Sequence, residues 1–421
     1  MDHVNLTQQY FRYIKWLMII GGIWRIEIEE FSVPKRTLYQ TYSICIQMGF
    51  FSSLISFILN MPTLLKTDMP AAISTMGLMT FSVVMLTKMF MCQSKSIVRL
   101  LRLALQSEFQ VAGDINAEIK AIYEWHINCG NNVVSILFFG ALFVGICVNI
   151  FGDINCYIYF KQHRGENMTD KPVPLNYWYP FDRNKHYAVV LIDQNIRAIL
   201  ASLLIAVVGA FVCCIFVFVR LQLTLLQHSF RNFDKLNNIQ GASLLKRLCV
   251  KHQKLIGYVD DLKESFKTII LLEYIVSSLS FAAQILQITL GARPFFAFLL
   301  LTYTAMQLLV FAWTSNEIII QSSELARGLF ESDWYQHDTE TQIMVHIMIV
   351  RCQKPLCLRV GHFGVMDLDV GLSVSQYHGG DLSSRFVHKI TYHMKIFFCA
   401  PVVLMLDICC RGSSWRILMR R

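Results

Sequence analysis

The chain has 421 residues, 54% of them hydrophobic and 16% charged, with a formal net charge of +9. A mean hydropathy of +0.45 makes it too apolar for an ordinary soluble domain. No basic patch is interleaved with aromatics as on a nucleic-acid-binding face, so nucleic acid is excluded as a partner and the charge needs another reason.

The polar start Met1 to Gln9 is followed by a short apolar run, Trp16 to Trp24, without a basic lead or a small-residue cleavage site. A cleavable signal is therefore not expected, and the first span would insert itself. Tyr10 to Phe31 mixes aromatic, apolar and basic residues, as an interfacial helix would; a short re-entrant or packing helix fits as well. Pro34-Lys35-Arg36 is expected to end it, within a cytoplasmic N-terminal segment 1–40.

Six stretches come near the roughly 20 residues that cross a bilayer: Thr41–Met61, Ala72–Cys92, Asn132–Phe151, Ala198–Val219, Thr268–Leu290 and Phe295–Trp313. The predicted fold class is an all-α membrane protein. Helices one to four occupy 41–219 with an outer loop at 152–197; a helical connector runs over 220–267, and helices five and six over 268–313. A further connector, 314–363, precedes an atypical segment, 364–421. Basic residues number eighteen on the side that holds the N-terminus and eight on the other, which orients the N-terminus to the cytoplasm. The positive charge is thus mostly an insertion signal.

The connector Gln93 to Asn131 carries an apolar stripe, Ile97, Leu100, Leu101 and Ala104, and reads as a span continued into the cytoplasm. The outer loop holds the glycosylation sequon Asn167-Met168-Thr169 and the stiff aromatic stretch Pro172 to Asp182, with Tyr177, Trp178, Tyr179, Pro180 and Phe181. That stretch could equally be an interfacial anchor. In the fourth-to-fifth connector Leu245, Leu248, His252, Leu255, Val259, Leu262 and Phe266 alternate by three and four, an a/d seam on which His252 reads as a packing residue. Farther on, Ile318, Ser322, Leu325 and Leu329 form one helix face, Trp334 and Tyr335 suit a membrane boundary, and a second helical segment, Ile343 to Val350, stops before Lys354-Pro355.

Lys88, Glu273, Asp193 and Arg197 stand near span ends, where each would reach water. None of the six spans has a central ionisable residue, which disfavours proton relays and ion-coupled transport. Of the thirteen cysteines, Cys45, Cys92, Cys147, Cys213 and Cys214 lie in spans as small hydrophobes, and Cys352-x4-Cys357 lacks partners at zinc spacing. No hydrolase, metalloprotease or phosphate-loop motif is present. No enzyme, cofactor or metal is expected.

Trp313, Asn316-Glu317, Gln321-Ser322, Leu325, Ser332, Trp334-Tyr335, Gln353-Lys354-Pro355-Leu356 and Gly361-x-Phe363 resemble the C-terminal signature of insect odorant receptors. The Trp-x-Pro-Phe-Asp of the outer loop looks like that family's lid. The resemblance implies a ligand-gated, non-selective cation channel subunit that forms a hetero-tetramer with a shared co-receptor. Its place would be the plasma membrane of olfactory dendrites, in contact with lipid, and its seventh spans would line the pore. It implies a small volatile ligand between the outer halves of the second, third, fourth and sixth spans, here at Met76, Met79, Phe81, Phe143, Cys147, Phe151, Ile199, Phe296 and Leu300. The same residues could be ordinary helix packing. The seam and Trp334-Tyr335 would belong to a cytoplasmic anchor that joins subunits.

From about Leu372 the pattern departs. Tyr377 to Asp381 is polar, and the apolar run Ile396 to Cys410 is short and broken by Pro401 and Asp407. Six spans with a cytoplasmic tail, produced by alternative splicing or a shifted frame, are expected for this sequence. Two other readings are a gustatory-type chemoreceptor and a non-conducting membrane chain without a pore helix.

Overall fold

The computed structural model describes residues 10–25, 33–67, 69–112, 117–162, 171–233, 238–289, 294–360 and 364–366. Asn167 and the segment after Met366, with its predicted departure, lie outside them. Helices α1 (Arg12–Ile20), α2 (Val33–Thr67), α3 (Met69–Cys92), α4 (Lys95–Ala112), α5 (Ala117–Gln162), α6 (Tyr187–Arg231), α7 (Asn238–Thr289), α8 (Pro294–Phe330) and α9 (Thr339–Cys352) follow in order. They end in a small antiparallel pair, β1 (Arg359–Val360) with β2 (Gly364–Val365). All-α is thus the fold class, apart from those four residues.

Among the described residues, five helices are long and apolar enough to cross a membrane: Val33–Thr67, Ala117–Gln162, Tyr187–Arg231, Gly241–Ile285 and Ala297–Phe330. The expected second span lies in α3, of 24 residues. Several helices far exceed a bilayer. The 52 residues of α7 amount to about 78 Å at 1.5 Å per residue, against about 30 Å of hydrocarbon. The connector 220–267 is therefore not a separate element: α6 runs on to Arg231, and α7 starts at Asn238 and continues without a break into the fifth predicted span. Pro34 also differs from expectation. It sits in the first turn of α2, where a missing N–H costs nothing, so it opens a helix. Pro62 lies inside the same helix.

Helix α6 is the axis. In its apolar window 83% of residues are buried, against 22% in that of α2. α5 lies antiparallel beside it: Asn195 Nδ2 donates to Asp153 Oδ2 at 3.0 Å, and Ser202 faces Gly145. A Cβ on Gly145 would stand 2.2 Å from Ser202 Oγ, so only glycine admits this approach.

The first helix packs rather than floats. Tyr10, Phe11, Ile14, Leu17, Met18, Ile23 and Trp24 are buried, while Trp16 and Ile20 face outward. Tyr10 anchors it twice. Its N–H donates to Glu108 Oε1 at 2.7 Å, and its hydroxyl donates to the Cys214 carbonyl at 2.8 Å. Glu108 also accepts the Tyr123 hydroxyl at 2.6 Å, and burial raises its carboxyl above the ordinary range. Of the readings open for this segment, the structure takes the packing helix.

Candidate functional site

One end of the bundle is closed by the segment between α5 and α6. Tyr177 is buried and stacks on Phe57 of α2, ring centroids 4.4 Å apart. The Trp178 N–H donates to the Ser56 carbonyl at 3.3 Å, and Ser56 Oγ donates to the Trp178 carbonyl at 2.6 Å. Asn60 Nδ2 holds the Asn176 carbonyl at 2.9 Å. From the other side, Gln194 of α6 accepts the Leu175 N–H at 3.1 Å and donates to its carbonyl at 2.9 Å. Three prolines keep this strand of chain extended, and its backbone groups, lacking sheet partners, are met by side chains of α2 and α6.

Arg197 ties these contacts together. Its Nε donates to Asp193 Oδ2 at 2.8 Å, and its Nη1 donates to Ser52 Oγ at 2.9 Å and Ser53 Oγ at 2.8 Å. Its guanidinium lies 5.5 Å from the Tyr177 ring centre. The Tyr179 hydroxyl donates to the same Asp193 oxygen at 2.8 Å. Burial pushes the Tyr177 and Tyr179 hydroxyls above the ordinary phenol range. Asp193 and Arg197 thus pair with each other while both remain partly exposed. Pro180, Trp178 and Phe181 are exposed, with Phe181 on the edge of His186 at 5.7 Å.

The residues expected to line a ligand site are placed unevenly. Phe151 of α5 meets Phe295 of α8 edge-on at 4.9 Å. Leu300 packs on the small cluster of Ala141, Val144, Ala206 and Tyr303. Phe81 packs against the main core, and Met79 and Cys147 are half-buried. Met76, Phe143 and Ile199 are open to the surroundings. The side chain of Phe296 lies outside the described residues.

At the opposite end α6, α7, α8 and α9 form a second bundle. Leu245, Leu248, His252, Val259, Leu262 and Phe266 are buried and Leu255 is half-buried, so the seam faces inward along α7. His252 stands edge-on to Phe230 at 6.3 Å. Burial, helped by Arg351, lowers its pKa from 6.5 to about 4, and no group able to hold a metal is found among the described residues. Trp334 packs on His346 at 4.8 Å and Tyr335 is exposed. They follow α8, which continues to Phe330, well beyond Trp313; at 1.5 Å per residue that is about 25 Å past the span. They stand on the second bundle, past the end of α8.

Three side chains escaped the sequence reading. Arg220 is buried between the rings of Trp125 (5.0 Å) and Trp313 (5.8 Å) and pairs with Glu317 at 3.1 Å. Glu108 stands in sequence as a glutamate four residues past Ala104, the last residue of the apolar stripe. Gln307 joins a buried pair between Lys88 and Glu273. Those two charges, expected to reach water, have side chains 5% and 8% exposed.

These arrangements define a class: a multi-pass, all-helical membrane protein with a strapped segment at one end and long helices gathered into a second bundle at the other. A family model described as 7tm Odorant receptor matches residues 68–376, well over half the chain. The chain belongs to the insect odorant receptor family, a family of receptors and not of enzymes. It is 26% identical over 189 residues to Odorant receptor 30a of Drosophila melanogaster, covering 44% of this chain and 49% of that one. It is 23% identical over 144 residues to the odorant receptor coreceptor of Aedes aegypti, covering 33% and 30%. The chain spans about half or less of the length of these curated relatives. The fold matches the insect olfactory receptor OR5 of Machilis hrabei in complex with eugenol, at a TM-score of 0.74 and 14% identity. That likeness covers 90% of this chain and 97% of that one. A second structure of OR5 from Machilis hrabei gives a TM-score of 0.70 at 15% identity, again over 90% and 97%.

Proposed function

We propose that the chain is the odorant-binding subunit of a cation channel formed with the shared co-receptor, in the plasma membrane of olfactory dendrites with its N-terminus in the cytoplasm. The strap from Leu175 to Phe181, held by α2 and α6, is the observation that supports this reading, beside the edge-on contact of Phe151 of α5 with Phe295 of α8. In this reading Phe151, Leu300, Met79 and Phe81 would supply apolar surface to a small molecule, with burial worth roughly 25 cal/mol per Å². A small, mostly apolar volatile is the ligand class, in keeping with the eugenol complex of OR5. Membership in the odorant receptor family sets the gustatory reading aside.

The test is co-expression with the co-receptor in a non-olfactory cell and recording of current under a panel of esters, alcohols, phenols and terpenoids. Current evoked by at least one, absent from cells with the co-receptor alone, is the expected result. Surface complexes that stay silent across the panel would leave the non-conducting reading in place.

A further inference from the structure

Four helices meet at one charged contact inside the membrane-spanning part of the bundle. Lys88 Nζ of α3 pairs with Glu273 Oε2 of α7, 185 positions away in sequence. The other carboxylate oxygen, Oε1, accepts a hydrogen bond from Gln307 Nε2 of α8 at 2.7 Å. The fourth wall is Gly209 of α6, where an added Cβ would come within 3.3 Å of Gln307 Nε2. A larger residue there would press on the amide that holds Glu273.

Such a cluster is a poor way to gain stability. Desolvating two charges offsets most of their attraction, and well-packed apolar side chains of similar volume commonly do as well or better. A charged pair does differ from an apolar contact in geometry. Its energy in a low-dielectric interior depends steeply on separation, whereas apolar surfaces slide with little penalty. The position also matters. Along α3, Lys88 lies about 10 Å from Phe81 and about 18 Å from Met76, both candidate ligand contacts. The α7 and α8 helices that hold Glu273 and Gln307 run on into the second bundle, where α8 meets α9.

We propose that the Lys88–Glu273–Gln307 contact is the register lock of the receptor: it holds α3 in one position against α7 and α8, and gating requires α3 to leave that position. The inference rests on the channel reading above. Gln307 allows a strict control, because its amide carries both a donor and an acceptor. When the two charges are exchanged, the amide turns over and serves Lys in place of Glu.

The experiment compares the native chain, the double apolar variant Lys88→Met with Glu273→Leu, and the exchanged variant Lys88→Glu with Glu273→Lys. Each is co-expressed with the co-receptor, and surface level and ligand-free current are recorded, the co-receptor-alone current being subtracted. The apolar variant should reach the surface at native level and raise ligand-free current at least about fivefold, the lower end of ordinary coupling between sites. The exchanged variant should return it toward native. An apolar variant at native surface level with native ligand-free current would overturn the lock. So would an apolar variant that fails to reach the surface while the exchanged one succeeds, since the contact would then serve folding alone. A native complex silent to every odorant strikes the channel reading itself, and the lock falls with it.

Discussion

Arg220 Nη2 lies 3.1 Å from Glu317 Oε2, while Trp313, about one turn earlier on the same helix, presents its ring to the same guanidinium at 5.8 Å. The Trp313-x3-Glu317 element of the signature is thus one binding surface for a residue on α6. Trp125 of α5 completes it at 5.0 Å. Three helices are held at one level by a single planar cation.

Removing one partner should be costly, because the other is left charged and buried. Glu317→Ala or Arg220→Ala is expected to destabilise the chain by about 3–5 kcal/mol. Arg220→Lys should recover little, since an ammonium cannot stack its plane on two indoles. Thermal unfolding of purified receptor, followed by size-exclusion recovery, checks the order: native, then Lys, then Ala. Equal recovery of the three would refute it.

A second signature pair explains itself in the same way. Ser322 Oγ accepts the Leu356 N–H at 2.9 Å, tying the Gln353-Lys354-Pro355-Leu356 turn back onto α8. Proline cannot donate, so the turn needs its next N–H satisfied from outside. Ser322→Ala would orphan a buried donor, at a cost of about 1–3 kcal/mol. Ser322→Thr keeps the oxygen and should lose less. Hydrogen exchange at Leu356 reports it directly, and unchanged protection there in Ser322→Ala would refute the assignment.

What could be read in the sequence and what could not divide along one line. The seam of α7 was legible because Leu245, Leu248, Val259 and Leu262 repeat within one helix, where periodicity is local. The charges were not. Lys88 finds Glu273 across 185 positions and Arg197 finds Ser52 across 145, and no local pattern announces such a pairing. Placement near a span end suggested water for each; the fold supplied a partner. The first helix was ambiguous for a third reason. Its buried Ile14, Leu17 and Met18 and its exposed Trp16 and Ile20 put apolar residues on more than one face, beside Arg12 and Lys15, so composition alone could not choose between lipid and protein.

The strap should loosen when its arginine is cut. Arg197→Ala removes donors to Asp193, Ser52 and Ser53 together. Backbone hydrogen exchange at Tyr177 and Trp178 should then rise, with the α7 seam unchanged. Tyr177→Leu, which keeps apolar bulk but loses the stack on Phe57, should show a smaller rise, as the stack is worth about 0.5–1.5 kcal/mol. If odorants enter beneath the strap, both variants shift the concentration needed for half-maximal current. Native exchange rates in Arg197→Ala would show that the strap is held by other contacts.

The last prediction concerns acid. His252 is buried on the α7 seam, edge-on to Phe230, with Arg351 as the nearby charge, and its pKa is lowered from 6.5 to about 4. The folded chain therefore favours the neutral imidazole. Between pH 6.5 and about 4 the unfolded chain binds the proton and the folded chain does not. Stability should fall as pH falls through that window and be insensitive to this residue above it. His252→Phe, which keeps an aromatic ring in the seam and cannot be protonated, should flatten the melting temperature between pH 6.5 and 4.5 relative to native. Both proteins will carry other acid-sensitive groups, Glu108 among them, so the informative quantity is the difference between the two curves. That difference should grow steadily toward low pH. A constant offset across the range would mean that His252 does not titrate with folding, and that the seam tolerates its charge.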